Sequence, residues 1–337
     1  MQTTTIPLKR ARHSARAAGI ALLFCALAGG IHGAHAQSLA PNAGATMLSL
    51  NPQTPAPGAS FEVRVDAYAY DIDRATIDWI INGTARDDLA NSRTVTLTAP
   101  ALGERTAISV SVTEPSGATH TAETAFAASA IDIIVEGQTR VPTFYAGAAA
   151  PSVGSAVRLV AMPSVYTAAG TLIAPANLIY TWRIGSTVAA AGRGKQVLET
   201  RMPRTGRMEM SVTAETSDGS ARHTSFTRIT PAEPTVIFYE DNPLYGIART
   251  ALPSAFTLLD EEISVRAEPY FVSRDIFNNA DYAWRINNQA VANPNADPQV
   301  LTLRRTGGAG EAAVGFTIRN TTALLQAALG EFRVYFE

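Results

Sequence analysis

The stretch Tyr180-Thr181-Trp182-Arg183-Ile184-Gly185-Ser186 decides how this chain folds, because its pattern occurs three times. Ile77-Asp78-Trp79-Ile80-Ile81-Asn82-Gly83 stands upstream of it and Tyr282-Ala283-Trp284-Arg285-Ile286-Asn287-Asn288 downstream. The copies hold all three tryptophans of the 337 residues, at separations of 103 and 102. In each, a large apolar residue lies two before the Trp and an isoleucine two after it, the period of a strand with one buried face. Each then reaches a dipeptide that accepts positive φ, the start of a hairpin. A buried Trp on the third strand of a unit of about 100 residues predicts a two-sheet sandwich. The repeat predicts three of them in tandem.

The flanking residues repeat as well. Phe61-Glu62-Val63-Arg64-Val65 alternates apolar with charged before the first copy, and residues 157–161 and 263–267 supply the corresponding second strands before the other two. Val112 to Phe126, Val212 to Phe226 and Ile318 to Phe332 are each 14 residues apart. Equal spacing predicts a closing hairpin of constant length, with Phe126, Phe226 and Phe332 in the core beside Trp79, Trp182 and Trp284. The domains are then 46–129, 130–229 and 230–337, after a Pro-, Ala- and Gly-rich flexible lead-in over 37–45. Pro231 and Pro234 stiffen the second linker, so a semi-rigid row of beads is expected.

Residues 1–36 read as a secretory signal peptide. Lys9, Arg10, Arg12 and Arg16 make a basic head, an apolar run reaches Ile31, and Ala34-His35-Ala36 suits cleavage before Gln37. Phe24 before the lone Cys25 disfavours lipidation. The mature chain keeps 23 basic against 29 acidic residues, a net −6, which argues against nucleic acid and anionic membranes as partners. It has no cysteine and two histidines, His120 and His223, so disulfides, a His-rich metal site and a His-based triad are not expected. No apolar run of membrane-spanning length is present in it.

Candidate chemistry is sparse. Asp66, Asp71 and Asp73 could offer oxygens to calcium, but the spacing lacks the glycine and later glutamate of a dedicated loop. Glu240-Asp241 and Asp260-Glu261-Glu262 form a second acidic group, read as a solvated face because paired hydrolytic carboxylates need a fixed separation. No catalytic residue, cofactor or metal is predicted. The connection between second and third strands is longer in the second and third domains (162–177 and 268–280) than in the first. It carries Tyr166, Tyr270, Phe271 and Phe277, the candidate binding residues, because loops at a sandwich pole are where recognition is placed. Their alternative role is to fold back over the sandwich end.

The Trp segments, with Pro55-Ala56-Pro57-Gly58 opening a strand of the first domain, resemble the PKD and related immunoglobulin-like domains of bacterial exported proteins. In that family the third strand commonly reads Tyr-x-Trp-x-Phe/Leu-Gly-Asp-Gly. Residues 180–185 and 282–286 match its first part, neither has the Asp-Gly ending, and Ile77 replaces the Tyr. The resemblance implies an all-β fold of three tandem immunoglobulin-like (PKD-like) β-sandwich domains after a signal peptide. It also implies adhesion, spacing or ligand display outside the cytoplasm, without catalysis. A protein partner or surface assembly is therefore expected, and the alternative is a carbohydrate-binding array that meets a glycan through the aromatic loops.

Overall fold

The computed structural model describes residues 46–323 and 325–336. The signal peptide and lead-in expected over 1–45 lie outside them. Six antiparallel-based sheets pair face to face as three sandwiches. The first uses β1 (Met47–Asn51), β2 (Ser60–Asp66), β3 (Thr76–Ile81), β4 (Thr84–Ala85), β5 (Thr94–Thr98), β6 (Arg105–Thr113) and β7 (Thr119–Ala127). Its sheets are ordered β1-β2-β5 and β4-β3-β6-β7. The alternation read in the sequence is realised on β2, where Phe61, Val63 and Val65 are buried and Glu62 and Arg64 exposed.

The second sandwich comprises β8 (Ala130–Gly137), β9 (Ala156–Ser164), β10 (Ile179–Ile184), β11 (Thr187–Arg193), β12 (Val197–Arg201), β13 (Met208–Glu215) and β14 (Arg222–Ile229). Its sheets are β12-β9-β8 and β11-β10-β13-β14. The third is larger. It has β15 (Thr235–Asn242), β16 (Gly246–Ala251), β17 (Ala255–Thr257), β18 (Glu262–Tyr270), β19 (Ala280–Ile286), β20 (Gln289–Val291), β21 (Val300–Arg304), β22 (Gly310–Asn320) and β23 (Ala327–Phe336). They form sheets β16-β15-β18-β21 and β17-β23-β22-β19-β20. The short β17 runs parallel to β23, whereas β7 and β14, the corresponding last strands, close their sheets as edges among the described residues.

The three indoles are buried between facing sheets, at 1%, 0% and 2% exposure for Trp79, Trp182 and Trp284. Each donates its Nε1–H to a main-chain carbonyl beyond the hairpin: Ser92 at 2.9 Å, Lys195 at 2.8 Å, Pro298 at 2.9 Å. A buried indole is thereby left with no unpaired polar atom. The following turns match the dipeptides. Asn82 and Asn287 each take φ of 50°. Each also trades hydrogen bonds with the neighbouring strand, Asn82 with Ala107 and Asn287 with Ala313. Gly185 donates only its own N–H, to Glu209 at 2.9 Å, because it has no side chain to return the bond.

One expectation is overturned. Phe226 is 78% exposed, whereas Phe126 and Phe332 are buried. The Trp partners show why. Trp79 pairs with Val110, Trp182 with Val212 and Trp284 with Phe316. These pair onward with Ala122, Ser225 and Gly330, at separations of 12, 13 and 14 residues. The closing hairpin therefore lengthens by one residue per domain, and the common spacing of 14 is a coincidence. An odd step moves a strand's whole set of side chains to its other face. Phe226 is thus the counterpart of Glu123 and Glu331, and His223 and Ile229 are the residues of β14 that turn inward.

Candidate functional site: the joint between the second and third sandwiches

Residues 138–155, between β8 and β9, run out from the second sandwich and pair with the loop after β18. Arg140 N–H donates to Val272 O at 2.7 Å, Phe271 N–H to Arg140 O at 2.8 Å, and Arg274 N–H to Gln138 O at 3.2 Å. Thr139 and Ser273, both buried, form the antiparallel bridge between them. The buried Gln326 closes the ladder from the β22–β23 turn. Its Oε1 accepts from Ser273 N–H at 2.6 Å, and its Nε2 donates to Val153 O. The joint thus satisfies main-chain groups that burial would otherwise leave unpaired.

Aromatic rings pack around this ladder. Tyr145 meets Tyr270 and Phe271 edge-on at 5.4 and 6.2 Å, and Phe144 meets Tyr239 at 5.1 Å. Tyr239 and Tyr270 join hydroxyls at 2.6 Å. Phe271 adopts φ of 59°, a conformation a bulky side chain rarely takes, and its N–H bond to Arg140, the adjoining Val272 bond and Tyr145 hold it there.

A carboxylate lies under the rings. Glu268 is 4% exposed and its Oε2 makes no hydrogen bond. Arg140 Nη2 stands 3.6 Å from Oε2 and Arg266 Nη1 3.9 Å from Oε1. Arg266 is itself shared with Asp241 at 3.0 Å and Asp297 at 2.9 Å, and Arg140 also lies over the Phe277 ring at 4.8 Å. Burial raises the Glu268 carboxyl above its ordinary 4.5, against the pull of Arg140 and Arg266. A raised carboxyl binds its proton more tightly in the folded chain than in the unfolded one. Its stabilising contribution is therefore complete below the unfolded value and is lost as pH rises through the folded value. Glu268→Gln is expected to flatten this slope: the melting temperature of the variant, relative to the parent, will climb between pH 4 and 8. A difference that stays constant over that range would assign no such role to Glu268.

The sequence-derived binding residues occupy joints. Tyr270 is buried, which corrects its reading as a ligand platform: the third sandwich's long loop is covered by residues 138–155. Phe271 and Phe277 are half-buried in the same joint. Tyr166 lies in the other one, between first and second sandwiches, with its N–H donating to Ser129 Oγ at 3.0 Å. Its ring covers Gly103, where an added Cβ would come within 2.9 Å of it. Each acidic group is partly occupied by arginine. Asp66 binds Arg64 and Arg93, Asp73 binds Arg93, Asp241 binds Arg266 and Glu262 binds Arg304. Among the described residues, no group of three or more His, Cys, Asp or Glu is placed to hold a metal ion. His120 bonds Glu114 at 2.8 Å and stacks on Tyr70, whereas desolvation lowers the pKa of the buried His223. Sequence reasoning missed Arg140, Glu268 and Gln326. Their one signal was the length and aromatic content of 138–155, with Phe144 and Tyr145.

Fold and joints together define an array of immunoglobulin-like sandwiches whose recognition-type loops are spent on one another. The chain matches no family model, and no curated protein matches it. Among solved structures it is similar to the three N-terminal domains of the bacteriophage RB49 outer capsid protein Hoc. The identity is 13% and the TM-score 0.25, over 87% of this chain and 99% of that one. It is also similar to the central fibronectin-III array of RIM-binding protein, at 11% identity and TM-score 0.30, over 87% and 97%. A third is the Bacteroides ovatus protein SGBP-B, solved with a mixed-linkage heptasaccharide, at 13% and 0.24, over 86% and 70%. Likeness this distant does not extend to what those proteins bind. No helix among the described residues is long and apolar enough to cross a membrane.

Proposed function

We propose that the chain is an exported, non-enzymatic spacer of the cell envelope, periplasmic or at the surface, that holds a protein partner or surface assembly at a set orientation. The observation that carries this is the joint of the second and third sandwiches, where main-chain bonds and a buried Gln326 replace a plain linker. Interfaces between domains of one chain are usually polar and mobile. A joint with a strained Phe271 and a buried carboxyl is built to hold an angle. The export half of the reading rests on the composition of residues 1–36. The glycan-binding alternative drew on Tyr166, Tyr270, Phe271 and Phe277, and their engagement in joints removes that support.

Spin labels on cysteines at Thr187 and Gln289, both exposed, test the spacer, since the chain from Gln37 has no other cysteine. Pulsed dipolar spectroscopy should return one narrow distance distribution. A broad one would reject the reading.

A further inference from the structure

We propose that the open edge of β7 in the first sandwich takes an extended strand from a partner protein, laid parallel to it as β17 is laid on β23. In the third sandwich the pattern is explicit. Arg333 N–H donates to Ser254 O at 2.8 Å and Leu258 N–H to Tyr335 O at 2.7 Å, while Phe256 sits beside Val334 and stacks on Phe332 at 5.7 Å. The Trp-anchored register makes Ala125, Phe126 and Ala127 the counterparts of Arg333, Val334 and Tyr335. Ala128 exchanges both its main-chain bonds with Gly103 and Glu104, towards β6. Main-chain groups alternate in direction along a strand, so the N–H and C=O of Ala125 and Ala127 point away from β6, to the open side. The Ala127 carbonyl receives Ser129 Oγ at 3.2 Å and keeps a second lone pair.

The place is a cleft of about 490 Å³ between the edges of β1 and β7, lined by Leu48, Leu50 and Phe126 and closed at one end by Tyr166 and Arg222. Among the described residues the first sandwich does not fill it, for a plain reason. Residues 52–59, which join β1 to β2, are eight in number and include Pro52, Pro55 and Pro57, which have no N–H to give a ladder. The third sandwich has residues 243–261 for the same connection, and β17 lies within them.

Three features describe the occupant. The unused main-chain groups call for a strand, because strand addition draws its affinity from them. The apolar wall at Leu48, Leu50 and Phe126 calls for one large apolar side chain in the place of Phe256. Among the described residues Arg222, 3.7 Å from Glu215, is the only charged side chain lining the cleft, so a carboxylate suits the occupant. The cleft also continues the joint of the first two sandwiches, through Ser129 and Tyr166, so a strand seated there would rest on both.

The chain supplies a probe of that chemistry in its own residues 252–260, Leu-Pro-Ser-Ala-Phe-Thr-Leu-Leu-Asp. This synthetic peptide, added to the chain from Gln37, is expected to slow amide hydrogen exchange at Ala125 and Ala127 at least tenfold. A peptide N-methylated at the position of Leu258, or carrying Asp for Phe256, should bind at least tenfold more weakly. Ala125→Pro in the protein should abolish the protection. The N-methyl peptide removes the other bond of the ladder, from the Leu258 N–H to the Ala127 carbonyl, without altering the protein's fold. Unchanged exchange at millimolar peptide, protection confined to other strands, or equal binding by the N-methyl peptide would overturn the proposal. So would a dimer of the chain that Ala125→Pro abolishes, because that gives the edge to a second copy. The proposal names the kind of partner the spacer would hold and so rests on that reading. A chain that binds the peptide but shows broad distances between its labels would reject the spacer and leave the cleft standing.

Discussion

Arg140→Ala is expected to free the third sandwich from the second while leaving both folded. The substitution removes the nearest cation from Glu268, whose carboxyl is buried, and lifts the guanidinium from the Phe277 ring. Breaking a buried pair by removing one partner costs about 3–5 kcal/mol. Arg140 is 40% exposed, so about 3 kcal/mol is the fitting end of that range. Gln326→Ala acts on the other side of the joint. It leaves the buried Ser273 N–H without an acceptor, at a cost of about 1–3 kcal/mol. The double variant should broaden the Thr187–Gln289 distance distribution, while tryptophan fluorescence keeps its native emission. A distribution as narrow as the parent's would show that the joint is held by something other than these side chains.

Trp182→Ala should have the larger effect on the fold itself. The indole has no measurable exposure and lies at the centre of a cluster with Tyr180, Leu159, Met210 and Val212. Truncating a buried Trp costs about 3–5 kcal/mol through lost contacts and the cavity left behind. A domain is stable by only about 5–15 kcal/mol, so the second sandwich is expected to melt first and separately in a denaturant titration. Phe226→Ser supplies the contrast. At 78% exposure it should change stability by no more than about 0.5 kcal/mol. A cost approaching that of Trp182→Ala would contradict the register described for β13 and β14.

Much of this architecture could be read from the residues. Alternation on 61–65 and the Trp segments gave strand identity, face and hairpin, because each depends only on near neighbours in the chain. The failure at Phe226 has a definite cause. Which face a residue of β14 takes depends on how many residues the turn from Thr216 to Ala221 spends, and residue spacing between two strands does not reveal how they pair. Aromatic residues in 162–177 and 268–280 do meet something. What they meet is another part of the same chain. Sequence marks a side chain as unneeded by its own sandwich, but it does not say whether a ligand or a neighbouring sandwich consumes it. Glu268 shows the same limit: a lone glutamate between Ala267 and Pro269 looks solvated until the segment around Arg140 is laid across it.

The stepwise lengthening of the last hairpin, by one residue from each sandwich to the next, means that the three modules cannot exchange parts freely. A chimera placing residues 222–229 after the turn of the first or third sandwich, matched phenylalanine to phenylalanine, would carry a returning ribbon turned inside out. His223 and Ile229 would then face water, and the greasy ring that now faces outward would be driven into the middle. Interchange at the level of whole beads respects the pairing, whereas interchange at the level of aligned letters does not.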